Sequence, residues 1–213
     1  HLIVSVNQNG PTCTAAGTNN GCRPNPSYAN NSQYSSLADS HYDGLHVSFV
    51  QRPIKWGSYR VSYTWSKSLD NVGEFFFSSP IDLFNIWQDY GRSDDDQRHR
   101  VVVDGAIHSS KAVANTAWQR ISHGFEVSGM LQYYSALPMN ITSGVTTIQG
   151  TAGRPLVNGA FIGRNVGIGN DSFSIGTRVS RGFRISENVR LEALAEACNA
   201  LNHRNNLTKN GGF

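Results

Sequence analysis

The chain has 213 residues, of which 38% are apolar and only 15% are charged, and its mean hydropathy is −0.37. This charged fraction is well below the roughly 25% of soluble domains, which favours long strands and long loops over a thick conventional core. The lysines and arginines behind the net charge of +3 are scattered, so nothing indicates nucleic-acid binding. The sequence has no run of about eighteen apolar residues, so only strands would cross a membrane.

The N-terminal part begins with a strand-like run, HLIVSV, and continues with residues 7–40, which are rich in Asn, Ser, Gly and Pro. We predict a long loop there. Cys13 and Cys22 lie in this loop, and we predict a disulfide between them, as an oxidising, extracytoplasmic compartment permits; two free thiols are the alternative. Because the chain starts without methionine and ends in loop-like KNGGF, we expect a mature, processed or excised piece.

Residues 42–71 contain two runs of alternating polarity joined by a short turn with proline and glycine, which predicts an antiparallel hairpin. One face collects the apolar side chains of Leu45, Val47, Phe49, Val61, Tyr63 and Trp65. The opposite face is predicted to collect the polar side chains of His46, Ser48, Gln51, Arg60, Ser62, Thr64 and Ser66. This pattern fits either a half-buried soluble sheet or a membrane barrel wall between lipid and water.

A second long connection is expected up to residue 97. Such connections are uncommon in compact domains unless they act as binding loops or lids. Phe84 and Trp87 are our candidate ligand contacts there, and packing against a neighbouring loop or another domain is the alternative. The segment SDDDQRHR, residues 93–100, is interpreted as an ion-paired network on a lumen wall or at a strand end. A metal site is the alternative, although three consecutive aspartates are a poor match to the spaced ligands of Ca²⁺.

Further alternating strands are predicted over residues 98–109, 122–135 and 172–185. The following run, VRLEALAEACNALNHRN, has good helix formers but also period two, so strand and helix both remain open, with strand favoured by the short turn before it. Residues 111–120 are read as a loop or a short helix. The result is an all-β, antiparallel, up-and-down arrangement of about six or seven strands, with tight turns on one side and long loops on the other.

The blocks that carry a family resemblance are HLIVSV, YDGLHVSFVQR, YRVSYTWSKSLDN, DYGRSDDDQRHRVVVDGA, GFEVSGMLQYYSALPMNITSG, GRNVGIG and FRISENVRLEALAEACNALNHRN. In this order they resemble the C-terminal barrel part of TonB-dependent outer-membrane receptors, especially the Oar-like group that has a carboxypeptidase-regulatory-like domain. The resemblance implies that residues 1–213 are a segment of a transmembrane β-barrel of about twenty-two strands with long extracellular loops, without its plug domain.

The same resemblance implies a location in the outer membrane of a Gram-negative bacterium and uptake of a bulky solute with TonB-derived energy. The expected partners are the rest of the barrel, the plug, TonB and outer-membrane lipid. Tyr63, Trp65, Phe125 and Tyr133 are expected to be lipid-facing or interfacial aromatic residues. A second hypothesis is a structural or filament-forming fragment, extracellular in location, that self-assembles through exposed strand edges.

Catalysis has no support in the sequence, because no GxSxG motif or comparable nucleophile device is present. The glycines of GRNVGIGN follow a loop and precede a strand, which is the wrong context for a nucleotide fingerprint. We therefore expect no enzyme activity, no cofactor, no catalytic residues and no metal site.

Overall fold

The computed structural model describes residues 2–13, 22–73, 80–109, 116–118, 123–144, 147, 153–187 and 189–206. Its strands are β1 (Leu2–Asn7), β2 (Ser32–Ala38), β3 (Ser40–Ile54), β4 (Gly57–Asp70), β5 (Gly91–Arg92), β6 (His99–His108), β7 (Phe125–Tyr134), β8 (Pro138–Met139), β9 (Leu156–Val157), β10 (Ala160–Phe161), β11 (Gly167–Ile168), β12 (Ser172–Arg184) and β13 (Arg190–Ala197). A short 3₁₀ helix spans Ile86–Asp89. No helix among these residues is both long enough and apolar enough to cross a membrane.

Seven of the described strands form one large antiparallel sheet in the order β13-β12-β7-β6-β4-β3, with β5 beside the end of β4, and the other six form three two-stranded sheets, β1-β2, β8-β11 and β9-β10. Each of the six long strands, β3, β4, β6, β7, β12 and β13, pairs with the next long strand along the chain. This is the up-and-down topology predicted from the sequence. Within the described residues β3 and β13 do not pair with each other, so the sheet is open. The all-β prediction is confirmed, and the predicted six or seven strands correspond to β1 and the six long strands of this sheet.

The register of the sheet brings side chains of like character into continuous rows. Phe49, Val61, Val103, Leu131 and Ile175 stand opposite one another across five strands. Directly opposed residues of an antiparallel pair lie on the same side of the sheet, so this row is apolar from end to end.

The neighbouring row lies on the other side of the sheet, because successive side chains of a strand point to opposite faces. It contains Ser48, Ser62, Val102, Gln132 and Ser174. We call the side that holds the Phe49 row the apolar face and the side that holds the Ser48 row the polar face. The faces predicted for the first hairpin therefore extend across the whole sheet. The predicted place of Gln51 is wrong, because its pairing with Tyr59, two residues from the pair of Phe49 and Val61, puts it on the apolar face.

The apolar face is exposed rather than covered by other described residues. Phe49 is 55% exposed and Ile107 is 58% exposed, although both belong to long strands. The buried apolar core instead lies outside the large sheet. It is a small cluster made of Val4, Val6, Ala38, Val72 and Ile86.

The structure corrects the prediction that residues 7–40 are a continuous loop. Residues 32–38 lie in the predicted loop of residues 7–40, yet they form β2, which pairs with β1 through pairs such as Val6 and Gln33. Their polar composition hides a strand whose apolar contact is limited to Ala38. At the other end of the chain, residues 190–197 form β13, so the helix alternative for LEALAEA is wrong and cross-strand pairing prevails over helix propensity.

The two ends of the sheet differ in their connections. At one end, which we call the turn end, residues 55–56 join β3 to β4 and residues 185–189 join β12 to β13, whereas the connection from β6 to β7, residues 109–124, is longer than a turn. Gly57 is required in the first of these turns, because its φ is 158° and a Cβ would collide with the carbonyl oxygen of Ala106. At the opposite end, which we call the loop end, long connections span residues 71–98 and 135–171.

Two adjacent valines of β6 test the assignment of the faces. If the apolar face meets lipid, as the family resemblance implies, we predict that Val103→Arg at the centre of that face destabilises the membrane-inserted protein by about 2–4 kcal/mol, because a charge in the lipid midplane is costly. The matched control is Val102→Arg on the polar face, for which we expect little change. Urea titration of the folded band on unheated gels, in lipid vesicles, measures both. Equal effects of the two substitutions would contradict the assignment.

Candidate functional site

The loop end of the sheet carries a cluster of charged and amide side chains, which we call the ionic cluster. Its members come from the end of β4, from the connection that follows it, and from two positions much later in the chain. They are Asp70, Asn71, Asp89, Arg92, Asp94, Asp96, Arg98, Arg154, Arg164 and Asn165. The antiparallel topology explains the assembly, because β4 ends and β6 and β12 begin at the same end of the sheet.

Asp96 is the centre of one half of the ionic cluster. Its side chain is fully buried, and its Oδ2 accepts hydrogen bonds from Nε of Arg92 at 2.7 Å and Nε of Arg98 at 2.9 Å. Its Oδ1 accepts the backbone N–H of Ser68 at 2.8 Å. A buried carboxylate is stable only when it is paired and hydrogen-bonded, and both conditions hold here. The network predicted for SDDDQRHR at a strand end is therefore confirmed.

The pKa of Asp96 reflects this balance. Burial by itself raises the pKa, but the hydrogen bonds from Ser68 and Arg92 and the positive charges of Arg98 and Arg92 outweigh it. The pKa of Asp96 is consequently lower than the ordinary value of an aspartate. The carboxylate stays charged in the folded protein at pH values where the unfolded chain begins to take up a proton.

Arg164 joins a distant loop to the end of β4. Its Nη2 donates to Oδ1 of Asp70 and, at 3.0 Å, to the carbonyl oxygen of Arg92. The next residue, Asn165, donates from Nδ2 to the same carbonyl oxygen at 2.9 Å and to Oδ1 of Asp94 at 2.6 Å. These contacts hold the Gly-rich connection before β12 against the segment between β4 and β6.

Arg154 makes a second buried ion pair in the same region. Its Nη2 lies 2.6 Å from Oδ1 of Asp89, while Oδ2 of Asp89 accepts the backbone N–H of Ile81 at 2.8 Å. Burial lowers the pKa of Arg154, the carboxylate of Asp89 opposes that effect, and the positive charge of Arg164 adds to the lowering. Two guanidinium groups thus lie close enough to influence each other.

A cavity of about 200 Å³ lies within the ionic cluster. The lining residues are Asn71, Val72, Gly73, Pro80, Ile81, Asp89, Asp94, Asn140, Arg154 and Arg164. Ligand sites are typically concave, with a few polar groups that converge on the space. The cavity is therefore the candidate functional site of the described chain.

Sequence reasoning missed several members of this site. Arg154 and Arg164 each follow a glycine, in GRP and GRN, within a region that we read only as a Gly-rich connection. The available signal for these two residues was the presence of an arginine in a loop with few other charges, in a chain with few charges overall. Their partners Asp70 and Asp89 are 94 and 65 positions away, and no local pattern predicts such pairs.

The four aromatic residues expected at the membrane share the apolar face, in register with its apolar rows. Tyr63 stacks on His99 with ring centres 6.2 Å apart, and its hydroxyl lies 3.0 Å from Nδ1 of His99. The hydroxyl of Tyr133 donates to Asp171 at 2.7 Å. Amphipathic rings with polar tips are typical of a membrane interface, although the contact of Tyr63, Trp65, Phe125 and Tyr133 with lipid stays a prediction.

At the turn end of the apolar face, Arg181 contacts two aromatic rings. The guanidinium of Arg181 lies 4.9 Å from the ring centre of Phe125 and 4.9 Å from that of Phe183. Cation–π contacts of this kind suit a charged group at the edge of an apolar region.

The other predicted site residues lie elsewhere at the loop end. Cys13 and Cys22 form the predicted disulfide, with Cα atoms 5.5 Å apart.

Phe84 and Trp87 are 56% and 58% exposed, and neither lines the cavity, so their role as ligand contacts stays a prediction. Among the described residues, no group of three or more histidine, cysteine, aspartate or glutamate side chains is placed to hold a metal ion.

Comparison with known proteins gives one match. A family model described as an outer membrane beta barrel domain matches residues 1–161, which is most of the chain. No curated protein and no solved structure matches.

The ionic cluster predicts an acid-dependent stability. We expect Asp96→Asn to lower the free energy of unfolding at neutral pH by about 1–3 kcal/mol, because charge-assisted hydrogen bonds to two arginines are lost. The folded pKa of Asp96 is lowered, so its contribution is present above the unfolded value of about 4 and disappears as the pH falls through the folded value. The wild-type and variant stabilities should therefore converge in acid.

The measurement is urea unfolding in detergent, followed by tryptophan fluorescence between neutral and strongly acidic pH. Asp95→Asn is the matched control, because Asp95 is the exposed neighbour of Asp96. A loss of stability that is the same at every pH would contradict the assignment to the Asp96 carboxylate.

Proposed function

Because the chain belongs to the outer membrane beta barrel family, we propose that it forms part of the barrel of a TonB-dependent receptor in the outer membrane of a Gram-negative bacterium. The function is uptake of a bulky solute, such as an oligosaccharide, a peptide or a metal chelate. The observation that supports this proposal best is the two-faced sheet, whose apolar rows cross five strands without interruption. An exposed apolar face of this extent suits lipid, and the opposite polar face suits a water-filled lumen.

The difference between the two ends of the sheet gives the proposed orientation. In bacterial outer-membrane barrels the long loops are extracellular and the short turns are periplasmic. The loop end, with the disulfide and the ionic cluster, would then face the outside and capture the solute. The proposed partners are the rest of the barrel, a plug domain, TonB and outer-membrane lipid.

On the polar face, charged pairs line the proposed lumen wall. Nε of Arg60 lies 2.9 Å from Oδ1 of Asp104, and Arg178 lies 3.9 Å from Glu192. Such pairs are tolerable beside water but expensive beside lipid. Their position on the polar face supports the same assignment of inside and outside.

A second candidate function, a filament-forming β-rich assembly, is favoured by one observation. Within the described residues the outer edge of β3 is unpaired over a strand of 15 residues. Long exposed strand edges promote pairing with further chains.

A gel and diffraction experiment separates the two candidates. For the barrel we predict a folded monomer in detergent whose gel mobility changes on heating. Fibres that form without detergent and diffract at about 4.7–4.8 Å would instead support strand stacking and overturn the barrel proposal.

The uptake step has its own test. In cells that express the complete receptor gene, we predict that growth on the transported solute requires TonB. A panel of neutral oligosaccharides, peptides and ferric chelates is supplied as the limiting nutrient, with and without an intact tonB gene. Growth that depends on the receptor but is unaffected by loss of TonB would contradict the proposal.

A further inference from the structure

The described chain has four buried side-chain nitrogen atoms without a hydrogen-bond partner. They are Nδ2 of Asn71, Nε of Arg154, and Nε and Nη1 of Arg164. Asn71 is 1% exposed, Arg154 3% and Arg164 8%. An unpaired buried donor is costly, so a concentration of them calls for a partner.

All three of these residues line the same cavity in the ionic cluster. Every unpaired atom is an N–H donor, because neither a guanidinium nor the nitrogen of an amide accepts a hydrogen bond. The missing partner must therefore supply oxygen or other acceptor atoms. The cavity of about 200 Å³ is smaller than a drug-sized site, so it accepts a single ring or end group rather than a whole large solute.

The charges around the cavity decide which kind of acceptor fits. The cluster contains four arginines and four aspartates: Arg92, Arg98, Arg154 and Arg164 against Asp70, Asp89, Asp94 and Asp96. Arg154 and Arg164 already pair with Asp89 and Asp70. Asp94 lines the cavity, and within the described residues its carboxylate accepts one hydrogen bond, from the amide of Asn165.

An anionic ligand would meet no excess of positive charge and would be repelled by the carboxylate of Asp94. A neutral ligand with several hydroxyl groups can satisfy the unpaired N–H donors without being repelled by the carboxylate of Asp94. Its oxygen atoms accept from the arginine and asparagine N–H groups, and its hydroxyl protons are donated to Asp94.

A second cavity in the described chain lacks this feature. It has about 440 Å³ and is lined by residues such as Asn9, Asn25 and Tyr28. There, Nδ2 of Asn9 donates to the carbonyl oxygens of Asn25 and Tyr28, each at 2.9 Å. None of the four unpaired atoms belongs to its lining residues.

We propose that the cavity lined by Asn71, Asp94, Arg154 and Arg164 binds the end ring of a neutral, polyhydroxylated solute, that is, a sugar residue without acidic groups. The proposal deepens the proposed function and rests on it for the biological role, because it assigns a substrate class to the loop end of the receptor. Binding itself requires no energy from TonB and is tested without transport.

The test is binding of the purified protein in detergent to an array of neutral di- and trisaccharides and of their uronic-acid counterparts. Asn140→Trp adds a large ring at an exposed lining residue that takes part in none of the buried ion pairs. It also removes the amide oxygen that accepts the backbone N–H of Asn165 at 3.4 Å. Asp94→Asn removes the acceptor charge. Arg178→Gln is the matched control, because Arg178 pairs with Glu192 on the polar face and does not line the cavity.

We expect at least one neutral saccharide to bind, with affinity reduced about tenfold or more by Asn140→Trp and by Asp94→Asn, since each loses a charge-assisted hydrogen bond or the space for the ring. Arg178→Gln should bind like the wild type. Binding of uronic-acid saccharides alone, binding of none, or binding insensitive to both cavity variants would overturn the proposal. Receptor-dependent growth that is unaffected by loss of TonB, together with cavity-dependent saccharide binding, would refute the TonB-dependent uptake proposed above and leave this binding site intact.

Discussion

The two-residue period of the strands, kept in register across the sheet, is the constraint on which the rest of this structure depends. Phe49, Val61, Val103, Leu131 and Ile175 share one row only because each pair of strands is aligned to the residue. A slip of one residue in any strand would turn its apolar side chains to the polar face. The same alignment brings the strand ends to a common level, and there the ionic cluster is assembled.

The ionic cluster connects segments that are far apart in the chain, as the ion pair between Asp70 and Arg164 illustrates. Buried ion pairs are a weak source of net stability, because desolvation offsets much of the attraction. Their main effect here is on geometry. The planar guanidinium of each arginine donates its hydrogen bonds in fixed directions, so its partners are held in few arrangements and the loops are fixed against the sheet. The donors left over by this arrangement face a cavity rather than a packed core.

Much of the fold was predictable because alternation is a local signal. The strands of the first hairpin and the placement of Tyr63 and Trp65 on one face followed from period two alone. β2 was missed, since its contacts with β1 involve few apolar residues, and the site around Arg154 was missed because its partner, Asp89, lies in a distant loop. A non-local ion pair has no signature in one sequence, whereas SDDDQRHR holds Asp96 and Arg98 close enough in the chain to indicate their pairing.

The positions of the aromatic rings and of Arg181 on the apolar face also indicate how long the apolar band is along the strand. Near the loop end Tyr133 stands opposite Phe173, and near the turn end Arg181 lies between the rings of Phe125 and Phe183. From Phe173 to Arg181 the strand runs about 26 Å at roughly 3.3 Å per residue, and a tilt of about 40° reduces this to about 20 Å of depth. Such a sheet matches a thin hydrocarbon layer, and the bacterial outer membrane is thinner than most. In the barrel proposed above, a thicker bilayer would draw the guanidinium of Arg181 into the hydrocarbon, where a charge is costly.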